Sequence, residues 1–268
     1  MADAMRKPAV SLTNEGAVAV LRLDRPERLN TIDDELGADL LAGLRRAAAD
    51  AGTRAVLLTG AGRSFMAGAD LTLFRDDMDA APQTAGRLID SLHESLRLMR
   101  GMPKPVIAAV QGPVAGGGLG LALACDLVVA ADDAVFVSAY TRIGTSPDAG
   151  TTWSLTHLLG ARRALQMILL NDPVDAATAL SWGLVNSVVP RADLEASALA
   201  LAARLSDGAP GAMAAVKRLV GEAADTPFVA QLDREKASFM TEAAKPDFRE
   251  GVSAFLERRK AVFRQRHS

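Results

Sequence analysis

The sequence predicts an α/β fold, with parallel strands flanked by helices and a helical arm behind them. One observation is an irregular repeat. The apolar segments AVLLTG (55–60), PVIAAV (105–110) and DLVVAA (126–131) are separated by about a strand and a helix each, the spacing of parallel strands with helices packed outside. A second is the continuity of the run RAVLLTG (54–60), which suggests a strand buried on both faces. A third is the change after Thr151, where the pattern turns mostly helical apart from a short apolar piece at 184–189.

The elements follow in order. Val18–Leu23 (VAVLRL) alternates as a strand and runs into DRPERLN, a Pro-containing turn. Asp33 to Asp50 reads as a helix: Asp33, Asp34 and Glu35 suit its positive start, Arg45 and Arg46 its negative end, and Leu36, Leu40, Leu44 and Ala47 form the inward stripe. A second helix is expected near 84–100, with Leu88, Leu92, Leu96 and Met99 inward. After the strand at 105–110, Leu119 to Ala124 reads as a short buried helix, and 126–131 and 134–139 as short strands. Four helical patterns after about Ala192 have only moderate apolar content, as in an arm that completes its burial on a neighbouring subunit. The expected division is a core at 1–195 and a helical oligomerisation region at 196–268.

The chain has 268 residues, of which 49% are hydrophobic, enough for a large core. Lys+Arg number 30 and Asp+Glu 32, a net charge of −2 with no basic block, which argues against nucleic acid as the partner. The single cysteine, Cys125, lies in an apolar run and is expected to be buried and inert. The N-terminal MADAMRKPAV has no apolar stretch of leader type, and no run approaches the ~18 residues of a membrane span. A cytoplasmic protein is expected. His157 and His267 carry no partner pattern, and there is neither H-E-x-x-H nor a cysteine pair, so no metal is expected.

The glycines of VAGGGLGLALACDL (114–127) give up side-chain packing between two apolar runs. A dinucleotide fingerprint fails, because Leu121 stands where the third glycine belongs. Close approach of a helix to the sheet is one alternative. A second loop, GRSFMAGADL (62–71), also follows a buried strand and also carries small residues, Ala67, Gly68 and Ala69. Two such junctions can aim two backbone N–H groups at one oxygen that gains negative charge during reaction.

SFMAGADL, PKPVIAAVQGPVAGGGLGLALACDLVVAADDAVF and LSWGLVNSVV resemble the crotonase, or enoyl-CoA hydratase/isomerase, superfamily, as do DRPERLN and DFREGVSAFLERR. The resemblance spans nearly the whole chain. It implies a spiral of ββα units, a C-terminal helical trimerisation region giving a homotrimer or a dimer of trimers, and an acyl-CoA substrate whose coenzyme A is its only cofactor. It also implies an oxyanion hole from the N–H groups of Ala69 and Gly117, with Gly116 beside them.

The resemblance breaks at the two hydratase glutamates, whose positions here hold Gly120 and Tyr140. A phenol ionises near pH ~10 and is a poor base at neutrality. The acid that remains is Asp148, in TSPDAGTTWSL, which resembles the PDxGxTW aspartate of the isomerase branch. One carboxylate can take and return a proton while an enolate is held, so a Δ3,Δ2-enoyl-CoA isomerase is expected. Asp148 could instead cap the helix that follows. A hydratase in the broad sense, a hydrolytic aryl-CoA dehalogenase with Asp148 as nucleophile and His93 as base, and an RNA-associated member of the fold are the other readings. Arg25, Arg28 and Lys260 are candidates for CoA phosphates, and Tyr140 for substrate contact. Asp70 is expected to fix its loop by hydrogen bonds. Phe65, Met66 and Phe74 are candidates for an acyl pocket.

Overall fold

A computed structural model describes residues 7–75 and 77–263. Residues 1–6, the start of the N-terminal MADAMRKPAV, and His267 lie outside them. The chain runs β1 (Val10–Glu15), β2 (Val18–Leu23), α1 (Asp34–Ala49), β3 (Ala55–Gly60), α2 (Ala81–Gly101), β4 (Val106–Val110), β5 (Pro113–Ala115), α3 (Gly117–Leu123), β6 (Leu127–Ala131) and β7 (Val135–Val137). It continues as α4 (Thr151–Leu159), α5 (Ala161–Leu170), β8 (Val174–Asp175), α6 (Ala176–Trp182), β9 (Ser187–Val189), α7 (Leu194–Ser206), α8 (Pro210–Ala223), α9 (Phe228–Ala243) and α10 (Pro246–Leu256).

One sheet has the order β1-β2-β3-β4-β6-β9, parallel except for the antiparallel β1–β2 edge. A smaller one has the order β5-β7-β8. Strands β4 and β6 of the large sheet are each followed by a strand of the small one, β5 and β7. The continuous apolar runs are explained by burial on both faces. Val18, Val20, Ala55, Leu57, Ile107, Ala109, Val129 and Ala131 face Leu194, Ala198 and Ala202 of α7. Their alternates, such as Leu21, Val56, Leu58, Ala108 and Val128, join the core of α1 and α2. Leu36, Leu40 and Leu44 are fully buried there, each contributing about 2 kcal/mol. Asp33 caps α1, its carboxylate accepting the Leu36 N–H at 2.8 Å.

Several elements differ from expectation, among them the short strands β5 and β8. β1 was not foreseen, because Leu12 to Glu15 is at most half-buried and carries no clean alternation. α3 begins at Gly117 rather than Leu119, so the glycines form its first turn. Cys125 is half-buried, and burial pushes its thiol pKa up.

The arm is tied to the core by half-buried cations. The Lys217 ammonium donates to the Met99 and Lys104 carbonyls at 2.7 and 3.0 Å and pairs with Asp126 at 2.7 Å. Arg54 donates to Gly208 and Phe263 carbonyls at 2.6 and 2.9 Å. The arm's far side stays apolar and open: Phe228 is 76% exposed and Phe255 83%. Among the described residues no helix is long and apolar enough to cross a membrane.

Candidate active site

The loop after β3 is fastened to the 29–32 segment. Buried Asn30 donates to the Ala61, Ser64 and Phe65 carbonyls at 3.0, 2.8 and 3.1 Å, and its own Oδ1 accepts the Arg25 N–H at 2.8 Å. Nothing in the sequence singled this residue out. The Ala67 N–H donates to Leu29 O, the Ile32 N–H to Gly68 O and the Asp70 N–H to Ile32 O. This strand-like pairing uses Gly68 and Asp70, so the Ala69 N–H between them faces the other way. The Asp70 carboxylate accepts from the Thr72 N–H and hydroxyl at 3.0 and 2.6 Å and starts the next turn.

The loop after β4 lies directly against it. The Ala115 N–H donates to Met66 O at 3.0 Å, and the Gly116 N–H to Val137 O at 3.2 Å. Gly68 and Gly116 touch: a methyl group on Gly116 would sit 3.5 Å from the Gly68 Cα, and both glycines have positive φ, 98° and 53°. A methyl on Gly118 would fall 2.1 Å from Met66 O, so only glycine lets α3 seat on this loop. Ala69 and Gly117 each follow one of the touching glycines. Gly117 opens α3, where an N–H has no intrahelical acceptor. Among the described residues neither N–H donates to a backbone carbonyl in a turn or loop.

Asp148 approaches from the far side of α3. Ala149 and Gly150 take left-handed φ values of 51° and 68° before α4. That turn packs on Gly120, where a methyl would lie 2.5 Å from the Ala149 Cβ and 2.6 Å from its carbonyl oxygen. Gly120 is one helical turn beyond Gly117, a rise of about 4.5 Å, which places the half-buried carboxylate's turn close behind the Gly117 donor. The Tyr140 hydroxyl donates to Asp148 Oδ1. Tyr140 is buried, and burial first, then the Asp148 charge, raise its pKa far above the ordinary phenol value. The capping alternative for Asp148 fails: Gly150 occupies the cap of α4, and Asp148 contributes only its backbone carbonyl, to the Thr151 N–H. His93, on α2 between Leu92 and Leu96, reaches this turn, its Nε2 accepting the Ala149 N–H at 3.2 Å.

The remaining candidates divide. The Arg25 guanidinium is paired with Glu35 and mostly buried. Arg28 is exposed and lies 3.5 Å from Asp70, at the rim of the Ala69 loop. Lys260 pairs with Asp207 at 2.7 Å, next to the Gly208 that Arg54 holds at the start of β3; its own chain thus leaves it at the opposite strand ends from the Ala69 and Gly117 loops. Phe65 and Met66 are fully buried in the core, and Phe74 is half-buried.

Comparison with known proteins gives three findings. The family model described as enoyl-CoA hydratase/isomerase matches residues 13–266. A probable enoyl-CoA hydratase of Rhodobacter capsulatus is 41% identical over 92% of this chain and 94% of its own length, and a 1,2-epoxyphenylacetyl-CoA isomerase of Escherichia coli is 38% identical over 93% and 95%. The crystal structure of an enoyl-CoA hydratase from Polaromonas sp. JS666 superposes with a TM-score of 0.91 at 37% identity, covering 95% of this chain and 99% of that one.

Proposed function

The chain belongs to the enoyl-CoA hydratase/isomerase family and has the crotonase fold, and from that premise we propose that it shifts a double bond in an enoyl-CoA thioester from the 3 to the 2 position. The observation that carries this reading is the lone carboxylate of Asp148, set behind α3 against Gly120 with Tyr140 hydrogen-bonded to it.

The thioester oxygen receives the N–H groups of Ala69 and Gly117. As Asp148 removes the proton from C2, charge moves onto that oxygen and the two donors stabilise the enolate, each by about 3 kcal/mol. Asp148 then delivers the proton to C4, and the double bond ends conjugated with the thioester. The Tyr140 O–H holds one carboxylate oxygen and leaves the other for the substrate. Hydration needs a second group to activate water; Gly120 has no side chain, and the raised pKa of Tyr140 removes it as a base.

Exposed Arg28 meets the CoA phosphates at the rim, while Arg25 serves the loop through Glu35. Coenzyme A, carried by the substrate, is the only cofactor in this reading. The open apolar faces of α9 and α10 are covered in a homotrimer or a dimer of trimers, which is also where Lys260 gains access to a ligand.

The test supplies 3-enoyl-CoA thioesters of increasing chain length. The expected product has the mass of the substrate and the absorbance of a conjugated thioester. Rapid hydration of 2-enoyl-CoA, with no isomerisation of the 3-enoyl compounds, overturns the reading.

A further inference from the structure

We propose that His93 is a positioning residue, holding the Asp148 turn through the Ala149 N–H, and not a base that activates water. The proposal rests on the reading of Asp148 as the proton-transferring group.

Ala149 has a φ of 51°, a left-handed conformation that alanine adopts reluctantly. Its side chain and carbonyl are pressed on Gly120, so the turn cannot relax towards α3. Its N–H is buried with it and needs an acceptor. The acceptor comes from α2, fifty-six residues earlier in the chain: the Nε2 of His93 at 3.2 Å. A backbone N–H can only donate, so Nε2 must present its lone pair, and a neutral imidazole then carries its proton on Nδ1. A ring nitrogen engaged in this way is not free to take a proton from water. Asp148, the next residue back, is thereby fixed at two points, by Tyr140 on the carboxylate and by His93 on the following peptide.

Two measurements test this. In spectra of isotope-labelled imidazole nitrogens at mildly alkaline pH, with the His93 signals identified by their loss in His93→Gln, Nε2 is expected unprotonated and Nδ1 protonated. A proton on Nε2 overturns the proposal, and this readout needs no activity. In kinetics, His93→Leu is expected to lower kcat about 10²-fold through a misplaced carboxylate, with KM within about threefold and faster exchange of the Ala149 amide. His93→Gln, whose amide oxygen lies near the Nε2 position, restores most of the loss. Wild-type turnover in His93→Leu, or a His93→Gln as inactive as His93→Leu, overturns it. Failure of Asp148 itself shows separately, as turnover that survives Asp148→Asn.

Discussion

Ala69 and Gly117 are set by main chain packed on main chain, whereas Asp148, on the turn that packs against α3 at Gly120, is set by side chains. On the donor side Gly68 touches Gly116, and α3 at Gly118 rests on Met66 O with no room for a methyl group. On the acid side the contacts are a Tyr140 hydroxyl and a His93 ring nitrogen, on a turn that includes a left-handed alanine. Backbone donors need no reorganisation as charge develops on the oxygen. In the proposed reaction the carboxylate collects a proton at one carbon and releases it at another, which needs a defined but replaceable setting. The first side should therefore fail by steric conflict, and the second in graded steps.

Asp148→Asn gives the largest expected effect and removes the acid side alone. kcat should fall by about 10³-fold or more, with acyl-CoA affinity and thermal stability close to wild type, as read by steady-state kinetics and calorimetric titration. A matching loss of affinity would mean that the two sides are not separable. Gly118→Ala attacks the donor side. Its methyl would meet Met66 O at 2.1 Å, so α3 must shift, at a cost of about 1–3 kcal/mol in stability. Turnover should drop about 10²-fold as one donor is misaimed. Unchanged stability would show that the loop contact is looser than drawn.

Tyr140→Phe is the graded case. It removes one hydrogen bond to Asp148 and should lower kcat about tenfold with little change in KM. Because burial and the neighbouring charge raise the Tyr140 pKa, the hydroxyl stays protonated at neutral pH. The folded state favours the neutral phenol, so this group leaves stability unaffected below about pH 10 and reduces it only above that value. Denaturation midpoints of wild type and Tyr140→Phe should keep a constant separation between neutral pH and about pH 10, and above that the wild type alone should lose stability from this group. Parallel curves there would contradict the buried assignment.

These two sides were unequally legible in the sequence. The glycine loops were legible as small residues after buried strands, whereas Ala69 and Gly117 were singled out by the family resemblance. The sheet was legible because strands covered on both faces lose their alternation, as at Ala55–Gly60. β1 was not, because Leu12 to Glu15 is at most half-buried. The setting of Asp148 was not legible either. Its partners lie eight and fifty-six residues from the turn, and they meet only because Ala139 and Ala149 adopt positive φ, which nothing in an alanine announces. A histidine within a leucine stripe looks like any core-edge residue, and Asn30, which fastens the donor loop, looks like part of a turn.

The lone carboxylate is tested most directly by a 3-enoyl-CoA carrying deuterium at C2, turned over in ordinary water and analysed by mass and NMR. The expected result is a 2-enoyl product with a measurable fraction of that deuterium at C4, absent in Asp148→Asn. A product that has gained the elements of water, or one with C4 hydrogen drawn entirely from solvent, would contradict it.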